Sequence, residues 1–173
     1  MTDAKMQILA LLRDNWDPSA MSFDETQLYR NKSKLVFQTG WYGRDGELPC
    51  VTVTGKNEGP YQGGATGYTA LHGPTGKGMQ RIDGTVTVNF VAGTWDHLDG
   101  VGQTGEDLNP KTVREEMYQH GCDILLAAQS TDETLTVAPG TGTEIEDTGD
   151  EDESTVFRTS LRVTYQYDRL PTV

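Results

Sequence analysis

The sequence predicts an α+β domain, with a mostly antiparallel or mixed sheet of about five strands and two main helices packed on one face. Apolar residues follow helical spacing in two segments and alternate with period two in several others. The predicted order is helix, three strands, helix and two strands, which differs from the strand–helix alternation of a parallel α/β fold. The 173 residues fit a single domain with long loops.

Two helices are predicted from apolar stripes and end signals. The first covers residues 3 to 15, and Pro18 ends it because a residue before proline is pushed out of the helical region. The second begins at Asn109 and Pro110, since asparagine caps helices and proline suits the first helical position. The stripes are Ile8, Leu9, Leu12 and Trp16 in the first helix, and Val113, Met117, Ile124, Leu125 and Ala128 in the second.

Strands are predicted from period-two alternation. They cover residues 35 to 39, 50 to 54, 85 to 91 and 155 to 167, with a short strand around Leu135 and Val137. The first two form either a hairpin or two neighbouring strands. In the last, one face is expected to be buried and the other to be wet or to meet a partner. The buried face is Phe157, Leu161, Val163, Tyr165 and Tyr167, and the other is Arg158, Ser160, Arg162, Thr164 and Gln166.

Two segments are predicted to lie outside the packed core. Residues 55 to 84 contain nine glycines and few aliphatic side chains, which predicts a long loop or arm. Residues 144 to 153 contain seven acids, which predicts a solvated or disordered loop. These acids are Glu144, Glu146, Asp147, Asp150, Glu151, Asp152 and Glu153.

The charge of the chain indicates the kind of environment in which the protein works. The net charge is −12, aspartate outnumbers glutamate, and only six lysines are present. This composition is typical of a surface that stays hydrated in concentrated salt, where screening removes self-repulsion. The acidity argues against nucleic-acid binding as the main role. No apolar run approaches the ~20 residues of a membrane span, and the N-terminus has no secretory signal pattern, so we expect neither.

The search for chemical motifs predicts no enzyme, no cofactor and no metal site. Residues 73 to 78 resemble a phosphate loop but lack its spacing and its terminal hydroxyl. Cys50 and Cys122 have no ligand spacing and are expected to be buried thiols. The three histidines have no ligand spacing, and residues 96 to 100 lack the carboxylate pattern of a calcium loop.

Aromatic and basic side chains are the candidate interface residues. Aromatic residues near glycine-rich segments often anchor a partner, because they fill pockets at low entropic cost. The alternative is that they pack onto their own domain. The candidates are Trp41, Tyr42, Tyr61, Tyr68 and Trp95, together with Arg158 and Arg162 on the wet face of the last strand.

Several stretches that together span most of the chain carry a family resemblance. They are Lys5–Asp17, Gln38–Tyr42, Val51–Thr54, the strand–helix order from Thr85 to Ala128, and Phe157–Tyr167. These stretches resemble the small neck and tail-completion proteins of tailed viruses. With the salt-adapted composition, the chain resembles a tail-terminator or related head–tail joining protein of a virus with a haloarchaeal host.

The resemblance implies a structural virion protein without catalytic residues. Such proteins form rings, commonly hexameric, that terminate the tail tube and join it to the head connector. The implied partners are further copies of the chain, the tail tube protein, head–tail connector or adaptor proteins, and viral DNA that passes without specific binding; no membrane is implied. The implied location is the neck or tail of the virion, after assembly in the host cytoplasm.

Other interpretations stay open. The arm and the acidic loop depart from the family pattern, so another neck tier, a head-completion adaptor or stopper, is an alternative. A non-viral halophilic binding module could use the glycine-rich loop to hold a ligand or peptide. Carboxylates that converge only in the fold would support an enzyme. The acids at 144 to 153 either line a DNA channel and repel phosphate, or form a salt-solvated loop.

Overall fold

The computed structural model confirms the α+β class, with a mixed sheet and two helices. It describes residues 3–28, 35–40, 49–60, 68–69, 79–93, 98–128, 135–148 and 155–169. The helices are α1, Ala4–Asp14, and α2, Pro110–Ala128. The strands are β1, Val36–Thr39; β2, Cys50–Pro60; β3, Tyr68–Thr69; β4, Met79–Gly93; β5, Thr136–Thr148; and β6, Thr155–Arg169.

The sheet has the strand order β1-β2-β4-β6-β5, and the two-residue β3 pairs with one end of β4. β1 runs parallel to β2, so the first two strands are neighbours rather than a hairpin. The other pairs are antiparallel. β4 and β6 pair from Gln80↔Arg169 to Gly93↔Val156 and form the centre of the sheet.

Both helices pack on one face of the sheet, as the apolar stripes predict. We call this the first face and the opposite one the second face. Asp3 caps α1, because its Oδ1 accepts a hydrogen bond from the Lys5 N–H at 2.9 Å. Asn109 caps α2 in the same way through the Lys111 N–H. The apolar residues of the two helices share one buried cluster with those of the sheet. The sheet contributes Val51, Val53, Val86, Val88, Phe90, Leu161 and Val163 to it.

The second face of the sheet is divided into three zones along its strands. At one end, Cys50, Val91 and Val156 form a small buried cluster. In the middle, the fully buried Asn89 donates to Thr52 Oγ1 at 3.2 Å and accepts from Ser160 Oγ at 2.7 Å. Because the Asn89 amide forms these hydrogen bonds, its burial does not carry the free-energy cost of an unpaired polar group. The third zone is an open groove.

The expected long loop at residues 55 to 84 is wrong at both ends. Residues 55 to 60 complete β2, and residues 79 to 84 begin β4. Pairing with the long central strand overrides the low strand propensity of this glycine-rich sequence. Of the segment between them, only residues 68–69 are described, and the rest of the predicted arm lies outside the described residues.

The expected acidic loop at residues 144 to 153 is wrong for its first half. Residues 144 to 148 belong to β5, which is 13 residues long rather than a short strand around Val137. The register places Glu144 opposite Thr159 and Glu146 opposite Phe157 on β6. Residues 149 to 153 lie outside the described residues.

Candidate functional site

The groove on the second face is the candidate site. It has a volume of about 730 Å³ and crosses the four strands β2, β4, β6 and β5. The strands alternate, so the side chains that enter the groove are the polar partners of the buried apolar residues on the first face. They include Asn57, Asp83, Thr85, Arg162, Thr164 and Gln166.

Two charged side chains of the groove lack ionic partners among the described residues. Oδ1 of Asp83 is shielded from solvent and accepts no hydrogen bond from them. Arg162 is exposed and forms no ion pair with any described residue. Arg162 pairs with Thr87 and Asp83 with Gln166 in the register of β4 and β6, so the two charges lie four residues apart along the sheet. The groove therefore offers a cation at one end and a carboxylate at the other.

A tyrosine on the first face supports the groove from behind. The ring of Tyr165 lies across Gly84 of β4, and a Cβ at Gly84 would collide with it. The Tyr165 hydroxyl donates to Glu58 of β2 at 2.7 Å. Burial, followed by this hydrogen bond, raises the pKa of Tyr165 far above its usual value. The phenol stays protonated and links the three strands that form the groove floor.

A polar network continues from Glu58 to the start of α1. The ammonium of Lys56 lies 3.3 Å from Glu58 Oε1 and 3.5 Å from Asp3 Oδ1. The pKa of Asp3 lies below its usual value because the Lys5 N–H donates to it and Lys56 adds a positive charge nearby. Burial opposes the charge of Lys56, but Glu58 and Asp3 still raise its pKa. This network ties the first helix to the sheet.

The predicted acidic-loop residues Glu144 and Glu146 face the second helix. Glu144 accepts a hydrogen bond from the buried Arg114 at 2.9 Å, and Glu146 lies 3.1 Å from Lys111. The Lys111 ammonium also lies 5.2 Å from the centre of the Phe157 ring. These two acids therefore hold α2 against the β5–β6 hairpin.

The described charges divide unequally between the second face and the rest of the described chain. On the second face, the described side chains are three arginines and two aspartates, and the register also places Asp147 on this face, so the face is close to neutral. The other described side chains include fourteen acids and five bases, a balance of −9. The second-face charges are Arg81, Asp83, Arg158, Arg162 and Asp168. The acidity of the described chain is concentrated away from the groove.

Helix α2 presents an acidic stripe to solvent. Glu115, Gln119 and Asp123 follow each other at four-residue spacing, and the Gln119 amide donates to Glu115 at 3.0 Å. Leu126 extends this stripe and is 55% exposed, the most of any described large apolar side chain. Beside it, Leu11, Ile124 and Ala128 line a second recess of about 450 Å³ between the helices.

The structure places only part of the sequence-predicted interface. Arg162 lines the groove, and Arg158 lies half-buried on the same face. Tyr68 lies in β3, without a described side chain. Trp41, Tyr42, Tyr61 and Trp95 lie outside the described residues, as do Asp150, Glu151, Asp152 and Glu153, and the side chain of Asp147 is not described.

Sequence reasoning missed the groove residues of β2 and Asp83 of β4, because it assigned residues 55 to 84 to a loop. It missed those of β5 because it expected only a short strand around Val137. The signal that could have found them is the alternation of β4 itself. Extended backwards from Val86, its polar positions are Thr85 and Asp83. The partners on β2 and β5 are set by register, which depends on a bulge between Thr54 and Asn57 and another between Pro139 and Gly142.

The remaining reactive side chains offer little chemistry. Cys50 is fully buried, whereas Cys122 is only half-buried; burial raises the pKa of the Cys122 thiol despite a nearby Tyr118 hydroxyl. Nε2 of His120 accepts from the Asp17 N–H at 3.0 Å, and its ring contacts Trp16 edge-on. Within the described ranges, no three acidic, histidine or cysteine side chains group as metal ligands do.

No protein-family model and no curated protein sequence matches this chain. Neither helix of the described residues is long and apolar enough to cross a membrane.

Proposed function

We propose that this protein is a structural virion protein that forms a ring at the neck or the top of a viral tail. In this role the ring terminates the tail tube and joins it to the head connector. The subunit has no catalytic task and uses no cofactor. Its partners are further copies of itself within the ring, the tail tube protein on one side of the ring and connector proteins on the other.

The observation that carries the proposal is the contrast in charge between the second face and the rest of the described chain. A subunit with a near-neutral face and acidic surfaces elsewhere can bind its own copies head to tail. Head-to-tail contacts are heterologous, and they close into rings when the rotation between subunits permits. The α+β fold and the resemblance of the five sequence stretches support the same role.

The proposal is tested by the mass and shape of the assembly. Light scattering in about 2 M salt, where charge repulsion between acidic subunits is screened, is combined with negative-stain imaging, alone and with preformed tail tubes. We expect closed rings in solution or at the ends of tubes. A protein that stays monomeric and leaves tube ends bare in both settings would falsify the proposal.

A ligand-binding module is the second candidate, and the groove is the observation that favours it. Its volume of about 730 Å³ falls within the range of small-molecule sites. A thermal shift with a small zwitterionic or peptide ligand, removed by Asp83→Ala, would favour this candidate when the protein also fails to assemble. Thr87→Ala, on the same strand outside the groove, is the matched control.

Passage of viral DNA through the ring requires a surface that repels phosphate, and acidic side chains without basic partners would form it. Glu144 and Glu146 pair with Arg114 and Lys111, so they are poor candidates for that surface. Replacing the acids of residues 150 to 153 by serine or asparagine is expected to slow genome passage or assembly. Unchanged infectivity would count against a channel role for this segment.

A further inference from the structure

We propose that the groove is the docking site for helix α2 of a second copy of this chain, with Arg162 of the groove facing Asp123 of the α2 stripe. The inference builds on the ring function proposed above and names its subunit contact. The occupant is a second copy because this chain itself carries the complementary surface. The contact is heterologous: each subunit supplies one groove and one stripe.

Charge complementarity is the first argument. A chain of net charge −12 repels its own copies unless they meet through a patch that is not acidic. Among the described residues, the second face supplies such a patch, and Arg162 is its exposed cation without an ion pair. Asp123 is exposed on α2 and also forms no ion pair with any described residue. Pairing the two satisfies both charges.

Shape and polarity give the second argument. The stripe is convex and ends in Leu126, whose apolar side chain is 55% exposed. The groove is concave and offers the methyl group of Ala138 beside threonine and amide side chains. An exposed apolar side chain beside a charge is typical of an interface, where burial supplies affinity and the charge selects the partner.

The test uses charge reversal at the two proposed partners in the full chain. Sedimentation velocity measures self-association of the wild type, R162E, D123K and R13E. R13E is the matched control, since Arg13 is equally an exposed arginine but lies on α1 beside Asp14. We expect R162E and D123K each to weaken association at least about tenfold. R13E is expected to leave association unchanged.

Combining the variants distinguishes this contact from any other. A mixture of R162E and D123K subunits offers opposite charges at every contact between unlike subunits, with the wild-type pair in one direction and the reversed pair in the other, so it is expected to regain the association that each variant alone lacks. The double variant R162E/D123K restores opposite charges and is expected to regain association. The effect of R162E is expected to be larger in about 0.5 M than in about 2 M salt, because screening shortens the range of the charge.

Three results would overturn the inference: association of R162E equal to that of R13E, a mixture that stays monomeric, or a double variant no better than the single ones. A wild type that is monomeric in free solution would also overturn it. A monomeric wild type does not by itself refute the ring proposal, which is then decided by the experiment with tail tubes. Rings that persist in R162E refute this contact and leave the ring proposal intact.

Discussion

The two faces of one sheet differ in what occupies the same strands. On the first face, helices α1 and α2 cover apolar side chains, and Leu161 and Val163 of β6 are fully buried. On the second face, the neighbours Arg162 and Thr164 are exposed in the groove. At the groove, a shift of one residue along β6 therefore separates a packed side chain from an exposed one. The period of the strand sets this difference.

Truncating one residue on each face is the strongest way to test this separation. Leu161→Ala leaves a cavity under the helices and is expected to cost about 2–5 kcal/mol of unfolding free energy. Arg162→Ala is expected to change it by less than about 0.5 kcal/mol, since the side chain is exposed. Denaturant titration in a fixed salt concentration measures both. Equal losses would mean that the second face is as tightly packed as the first.

A glycine pair gives a smaller version of the same comparison. Gly84→Ala is expected to cost about 1–3 kcal/mol, because the new methyl group meets the Tyr165 ring. Gly59 lies one strand away and faces the groove, and a Cβ there would have open space around it. Gly59→Ala is therefore expected to raise the unfolding free energy by between zero and about 1 kcal/mol. Thermal denaturation with matched baselines ranks them. A harmless Gly84→Ala would show that Tyr165 does not lie across β4.

The N-terminal cap of α1 has an effect of about 1 kcal/mol and depends on pH. Asp3→Ala removes the acceptor of the Lys5 N–H and is expected to cost that amount, whereas Asp3→Asn keeps a cap and costs less. The pKa of Asp3 is lower in the folded chain than in the unfolded chain. Its charge therefore adds stability above about pH 4, and this is lost as the pH falls through the folded pKa.

Unfolding free energies of the wild type and Asp3→Asn, measured across that range, check the sign. The difference between them is expected to shrink on acidification. A difference that grows instead would mean that the carboxylate charge opposes folding.

The smallest expected effect separates two acids of β5. Glu144→Ala leaves the buried Arg114 without its nearest carboxylate and is expected to cost about 1 kcal/mol. Glu146→Ala breaks an exposed pair with Lys111 and is expected to cost less than about 0.5 kcal/mol. Denaturant titration at low and high salt compares them. If neither substitution changed the unfolding free energy, this segment would behave as the solvated loop that its composition predicts.

The class of the fold could be predicted from the sequence because periodicity survives in single elements. The stripe of α1, the stripe of α2 and the alternation of β6 all appear in the structure, and their predicted core residues are buried except Tyr167, which is half-buried. Strand extent could not be predicted for residues 55 to 60 and 144 to 148. Their local composition favours loops, and only pairing with β4 and β6 makes them strands.

The candidate site follows the same division. Arg162 could be selected because it lies on the polar side of a clearly alternating strand. Asp83 could have been found only by extending the alternation of β4 backwards, and Asn57 could not be found, because a bulge after Thr54 and the strand order of the sheet bring it to the same groove. Likewise, the acids of β5 read as one solvated run, but the helix that approaches them converts Glu144 and Glu146 into ion-pair partners.

By itself, the sequence determined the α+β class, the two helices and the excess of negative charge, since each depends on residue type or on spacing within one element. Only the tertiary structure decided where that charge lies and which strands share a face. Register and strand order join residues far apart in the chain, and local patterns carry no record of such contacts. The near-neutral groove on an otherwise acidic chain is the result of that arrangement.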